Sequence, residues 1–68
     1  MQDYQQSVVD ERSELDGRIT RLQRLIASPA FTSLDVAERQ RLESQRFFML
    51  KYRHILNLRI AAFSQVVN

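Results

Sequence analysis

Ser28-Pro29-Ala30-Phe31-Thr32-Ser33-Leu34-Asp35 interrupts a chain that otherwise reads as helix, and the reading of this stretch decides the fold. Pro29 has no amide hydrogen to continue a helix that precedes it, but directly after Ser28 it suits the first position of a new turn, with the serine in an N-cap-like place. Ala30, Phe31, Thr32 and Ser33 then fill a compact corner. Asp35 and Glu38 have capping-box spacing, with aspartate where serine or threonine is usual, and put negative charge at the positive end of the next helix dipole. A corner this short between two long helical patterns folds the chain back on itself, so the expected class is all-α: an antiparallel helical hairpin with a short turn or helix at residues 28–33.

Upstream, about residues 3–27 contain no proline, and Val8, Leu15, Ile19, Leu22 and Ile26 recur at helical spacing, which predicts one amphipathic helix. Downstream, about residues 34–65 can form a second helix without a break, and the whole chain, 1–68, is one domain. The second helix is apolar on more than one side. Leu42, Met49, Leu56 and Phe63 stand seven apart, flanked by Tyr52, Ile60 and Val67, and suit the first helix. Phe48, Ile55 and Ala62 form another line of the same spacing, with Phe47, Leu50 and Leu58 beside it. One partner helix cannot cover both lines. Leaving side chains of phenylalanine or isoleucine size in water forgoes about 1.5–3 kcal/mol each, so an obligate homo-oligomeric helical bundle is expected.

Sixty-eight residues allow one domain with too much wet surface for a deep enzyme cleft. With 44% apolar and 26% charged residues, one glycine and one proline, the composition fits a compact helical unit. The lack of cysteine excludes disulfides and thiolate zinc sites, and His54 alone does not make a metal site, so no metal or cofactor is expected. No apolar run approaches the roughly 18 residues of a membrane span, and the acidic opening segment resembles no secretory signal or transit peptide, which predicts a cytoplasmic protein. There is no Gly-rich phosphate loop, HExxH, GxSxG or cysteine nucleophile, and the carboxylates Asp10, Glu11 and Glu14 diverge around a helix. An enzyme is not expected.

The net charge of +2 is too mild to predict nucleic-acid binding. Nine arginines against the single Lys51 offer planar donor forks suited to phosphate or carboxylate, although codon bias yields the same preference. Every side-chain acid precedes residue 44, while Arg46, Lys51, Arg53 and Arg59 follow it. In a hairpin these cations can pair with Glu11, Glu14 and Asp16, or remain for an anionic ligand. Arg12 interrupts the apolar stripe of the first helix and must be paired, snorkelling or held ready for an anion. Tyr4 either staples the helix start or provides a stacking platform for a base. His54, beside Arg53, is a surface residue or a phosphate contact. Gly17 costs its helix about 1 kcal/mol relative to alanine, which close packing of another backbone or the approach of a ligand would explain.

The series Tyr4-Gln5, Val8-Val9, Glu11-Arg12, Leu15-Asp16, Ile19, Leu22, Ile26, Ser28-Pro29-Ala30-Phe31 and Leu34 resembles, in order and spacing, the hairpin family of small phage proteins that sequester nucleotide second messengers. The later run of Leu42, Gln45, Met49, Tyr52, Ile55-Leu56 and Arg59-Ile60-Ala61-Ala62-Phe63 is similar to that family's second helix, so the resemblance covers about residues 4–63. It implies a phage anti-CBASS sponge, with a hairpin shared by Thoeris anti-defence proteins, acting in the host cell cytoplasm. The implied assembly is a homo-hexamer that holds cyclic dinucleotides between protomers, and in some members cyclic trinucleotides in separate pockets, without cleaving them. Tyr4 is implied to stack a base and Arg12, Arg18 and Arg21 to hold phosphates, with Ser7, Val8 and Arg53 completing the expected ligand-binding set. Ser7 stands where relatives commonly carry a basic residue, and Arg53-His54 where many have a small one after Tyr52. Two other readings compete: a structural adaptor docking a protein on the second apolar face of helix 2, and a nucleic-acid binder using Arg46, Lys51, Arg53 and Arg59. The mild charge and the lack of a helix-turn-helix pattern count against the latter, and neither DNA nor RNA is an expected partner.

Overall fold

The computed structural model describes residues 2–64, and these form three helices: α1 (Asp3–Ile26), α2 (Pro29–Thr32) and α3 (Val36–Phe63). The two long helices lie against each other as a rod of 54 × 15 × 14 Å, as expected of an all-α hairpin. Among the described residues there is no strand.

Each boundary has a local cause. At the start of α1, the Gln2 backbone amide donates to Gln5 Oε1 at 2.9 Å, which satisfies one of the amides a helix start leaves unpaired. At the corner, Ser28 departs from the expected capping role: its hydroxyl donates back to the Leu25 carbonyl at 2.7 Å and so closes α1 rather than opening α2. Thr32 does the same to Pro29, also at 2.7 Å. Asp35 behaves as its spacing predicts, with its Oδ1 accepting from the Glu38 amide at 2.7 Å, while the Glu38 carboxylate turns to Arg41. Because Asp35 is the cap, α3 begins at Val36, two residues later than the sequence pattern suggests.

The interior is one row deep. Val8, Leu15, Ile19 and Leu56 form the buried cluster, with Met49, Leu50, Ile60 and Phe63 packed against it. Leu22 is buried as well. One assignment along α3 changes. Leu50, expected on the outer line, packs against the core. Tyr52 flanks the inner stripe as expected: it lines a groove with Leu15 of α1 and remains 41% exposed, since a phenol on the rim keeps its hydroxyl in water. Val67 lies outside the described residues. At Gly17 no other backbone of the hairpin comes close. A methyl group there would meet only the Nη1 of Arg21, at 3.4 Å.

Phe47, Phe48, Ile55 and Leu58 are exposed. The hairpin therefore has a covered face and a bare one, both on α3.

Candidate functional site

Helical geometry distributes the candidate residues along the rod. From Tyr4 to Arg21 the rise along α1 is about 26 Å, too far for all of them to touch one small ligand within one hairpin. Three neighbourhoods result.

The first is a polar edge where the helices exchange side chains. Arg53 Nη1 donates to Asp16 Oδ1 at 3.2 Å, and one turn away along both helices Arg12 Nη1 donates to Asn57 Oδ1 at 3.1 Å. These two rungs put Arg12 and Arg53 on the same side of the hairpin. Arg12 is not ion-paired among the described residues: its partner is a neutral amide, and its Nε is buried with no hydrogen-bond partner. The terminal nitrogens of the guanidinium retain donor capacity, and an acceptor that brings negative charge suits them, whereas the enclosed Nε is out of a ligand's reach. Asn57 is a contributor the sequence reading missed. The signal was present, since the register that pairs Asp16 with Arg53 places residue 57 opposite residue 12.

The second neighbourhood is a groove of about 240 Å³ on the opposite edge, lined by Glu11, Glu14, Leu15, Arg18 and Tyr52. Arg18 thus stands apart from Arg12 and Arg53, beside two carboxylates and a phenol ring. Neither Glu11 nor Glu14 makes an ion pair among the described residues, so of the acids expected to neutralise α3 only Asp16 does so. Arg46 pairs instead with Glu43 of its own helix, at 2.6 Å.

The third is the open end of the hairpin, where the Tyr4 ring meets Phe63 edge to face with centroids 5.9 Å apart and an interplanar angle of 82°. Held on one edge, Tyr4 is still 58% exposed, so both expected roles are compatible with its position: it staples the helix start and keeps a ring surface free. Ser7 is exposed one turn further along, and Val8 is inside the core at 4% exposure, so a single hairpin leaves Val8 no open surface for a ligand. Arg21 is exposed, with its tip over Gly17. His54 is exposed.

A separate notch of about 620 Å³ lies at the corner, lined by Phe31, Val36, Arg39, Gln40, Glu43 and Ser44. Its Arg39 is fixed by a 3.2 Å bond from Nε to the Leu34 carbonyl. Of these residues the sequence had singled out only Phe31, as part of the corner. Among the described residues, no group of three histidine, cysteine or acidic side chains converges as a metal site requires, and no helix is long and apolar enough to cross a membrane.

Fold and surface together define a class: a small helical hairpin whose arginines and aromatic rings line its edges and open end. The comparisons make this specific. The sequence profile of the Sequestin family matches residues 2–62, and the chain belongs to that family. No curated protein and no solved structure matches it.

Proposed function

We propose that this chain is a non-catalytic phage protein that binds and sequesters cyclic oligonucleotide second messengers of bacterial anti-phage signalling, cyclic dinucleotides foremost. The observation that carries this reading is the family match over residues 2–62, in a family whose name denotes sequestration. The ligand class rests on the resemblance to the anti-CBASS sponges and on Arg12, which has no ion pair among the described residues and whose terminal nitrogens are committed only to the neutral amide of Asn57.

The working form is a homo-oligomer, a hexamer by the resemblance to the anti-CBASS sponges. A cyclic dinucleotide is a nearly two-fold ring with two phosphodiester charges and two flat bases, and a symmetric contact between protomers presents each arginine and each tyrosine twice. Copies meeting edge to edge gather residues that a lone rod keeps apart. Charge-assisted hydrogen bonds contribute about 1.5–3 kcal/mol each and base stacking about 1–3 kcal/mol per base, enough for nanomolar affinity after the costs of association. Sequestration needs no further chemistry: the ligand is withheld from its receptor by mass action and released unchanged.

Calorimetric titration against cyclic di- and trinucleotides, with chromatographic recovery of the ligand, tests the proposal. Binding is expected with intact ligand returned, and Tyr4→Ala or Arg12→Ala is expected to weaken it by at least tenfold, the equivalent of about 1.4 kcal/mol, with the oligomer preserved. Absence of heat and of any thermal shift across the panel refutes the sponge and leaves the adaptor reading.

A further inference from the structure

Resting on the association proposed above, we infer that two copies of the chain meet through the outward line of α3 in antiparallel register, with Ile55 at the two-fold axis. Phe48, Ile55 and Ala62 stand seven residues apart on one side of α3, and all are exposed, Phe48 at 67% and Ile55 at 54%. Along the helix their sizes run large, medium, small. A parallel pair would oppose phenylalanine to phenylalanine at one end and alanine to alanine at the other, a wedge with crowding and a gap. The antiparallel pair sets Phe48 against the partner's Ala62 at both ends and Ile55 against the partner's Ile55 in the middle, so the layers are nearly equal in volume, as close packing demands.

The flanks agree with this register. Tyr52 lines the groove facing α1, and Arg59, seven residues on, continues the same flank, while Lys51 and Leu58 continue the other. A two-fold axis crossing the helices keeps like flanks together. Tyr52 then meets the partner's Arg59, a ring with a guanidinium that has no ion pair among the described residues, and Lys51 lays its stem on the partner's Leu58. Lys51 already lies over an apolar neighbour, with Nζ 5.4 Å from the Phe47 centroid. No like charges oppose each other in this arrangement. The occupant is a second copy because the line is complementary to itself, and a foreign partner would place no such condition on the order of sizes.

The chain has no cysteine, so introduced thiols report contacts without background. Under mild oxidation, Ile55→Cys is expected to give covalent dimers, as is an equimolar mixture of Phe48→Cys and Ala62→Cys, whereas Phe48→Cys alone is not. Equally ready cross-linking of Phe48→Cys with itself overturns the antiparallel register. A wild-type oligomer in which none of the three forms a cross-link places the contact on another face and overturns this inference alone. Wild-type monomers at micromolar concentration overturn the association and the inference together. A size exchange guards against a variant that merely loosens the assembly: Phe48→Ala is expected to weaken association by about tenfold or more, and adding Ala62→Phe to restore most of it. No restoration counts against the pairing of these two positions.

Discussion

Ile55 and Leu56 are neighbours in sequence with opposite fates: Leu56 is 0% exposed and Ile55 is 54% exposed. The contrast extends to the helices that carry them. α1 buries Val8, Leu15, Ile19 and Leu22 on one side and exposes only Tyr4 and Leu25, near its two ends, among its large apolar side chains, whereas α3 buries Leu56 alone and presents Phe47, Phe48, Ile55 and Leu58 to water. A helix with one apolar stripe has found its partner within the chain, while a helix with two still has one to satisfy. The lesson is that hydrophobicity does not rank these two residues, but angular position does. Their side chains are turned about 100° apart around α3, and α1 covers only one of those directions.

Substituting the neighbouring pair tests that contrast most strongly. Leu56→Ala removes the deepest side chain of a core one row thick and is expected to cost about 2–5 kcal/mol, read as a lower denaturant midpoint with the helical content of the folded state retained. Ile55→Glu is expected to leave the hairpin helical by circular dichroism yet shift its sedimentation to a smaller species, because a charge is then buried at the contact rather than in the fold. If Ile55→Glu unfolds the chain instead, the division between an inner and an outer face is wrong. The smallest effect sharpens the comparison rather than breaking it. Asp35→Ala removes the bond to the Glu38 amide that fixes where α3 begins, at an expected cost of about 1 kcal/mol by thermal melting, with the oligomer unchanged.

Much of this arrangement is legible in the residue order. Pro29 announces the break, Asp35 the restart, and the seven-residue spacing of Leu42, Met49, Leu56 and Phe63 the side of α3 that meets α1. Leu50 departs from its expected line for a physical reason: on a helix apolar nearly all round, periodicity leaves the width of the covered arc undetermined. The candidate site is less readable. Sequence marks Arg12 as misplaced among hydrophobes, but the amide of Asn57 that takes one of its donors and the enclosure that strands its Nε arise only when the helices pair. The wheel of α1 does set Arg12 and Arg18 on opposite sides of the Val8, Leu15, Ile19 and Leu22 stripe, but not which side chains of α3 stand beside each, because that depends on the register of the two helices.

The corner has one more consequence. Its hydrogen bonds, Ser28 to Leu25 and Thr32 to Pro29, join residues three apart, so they form without waiting for the rest of the chain. Closing so tight a loop loses little chain entropy, and the helices can then zip together from there, rung after rung. The edge-to-face contact of Tyr4 with Phe63 lies at the opposite end of the rod, farthest from the corner. Should Tyr4 grip a base, capture and opening of the hairpin's mouth would be linked, and a bound ring would act as a clasp on the end that the corner does not tie.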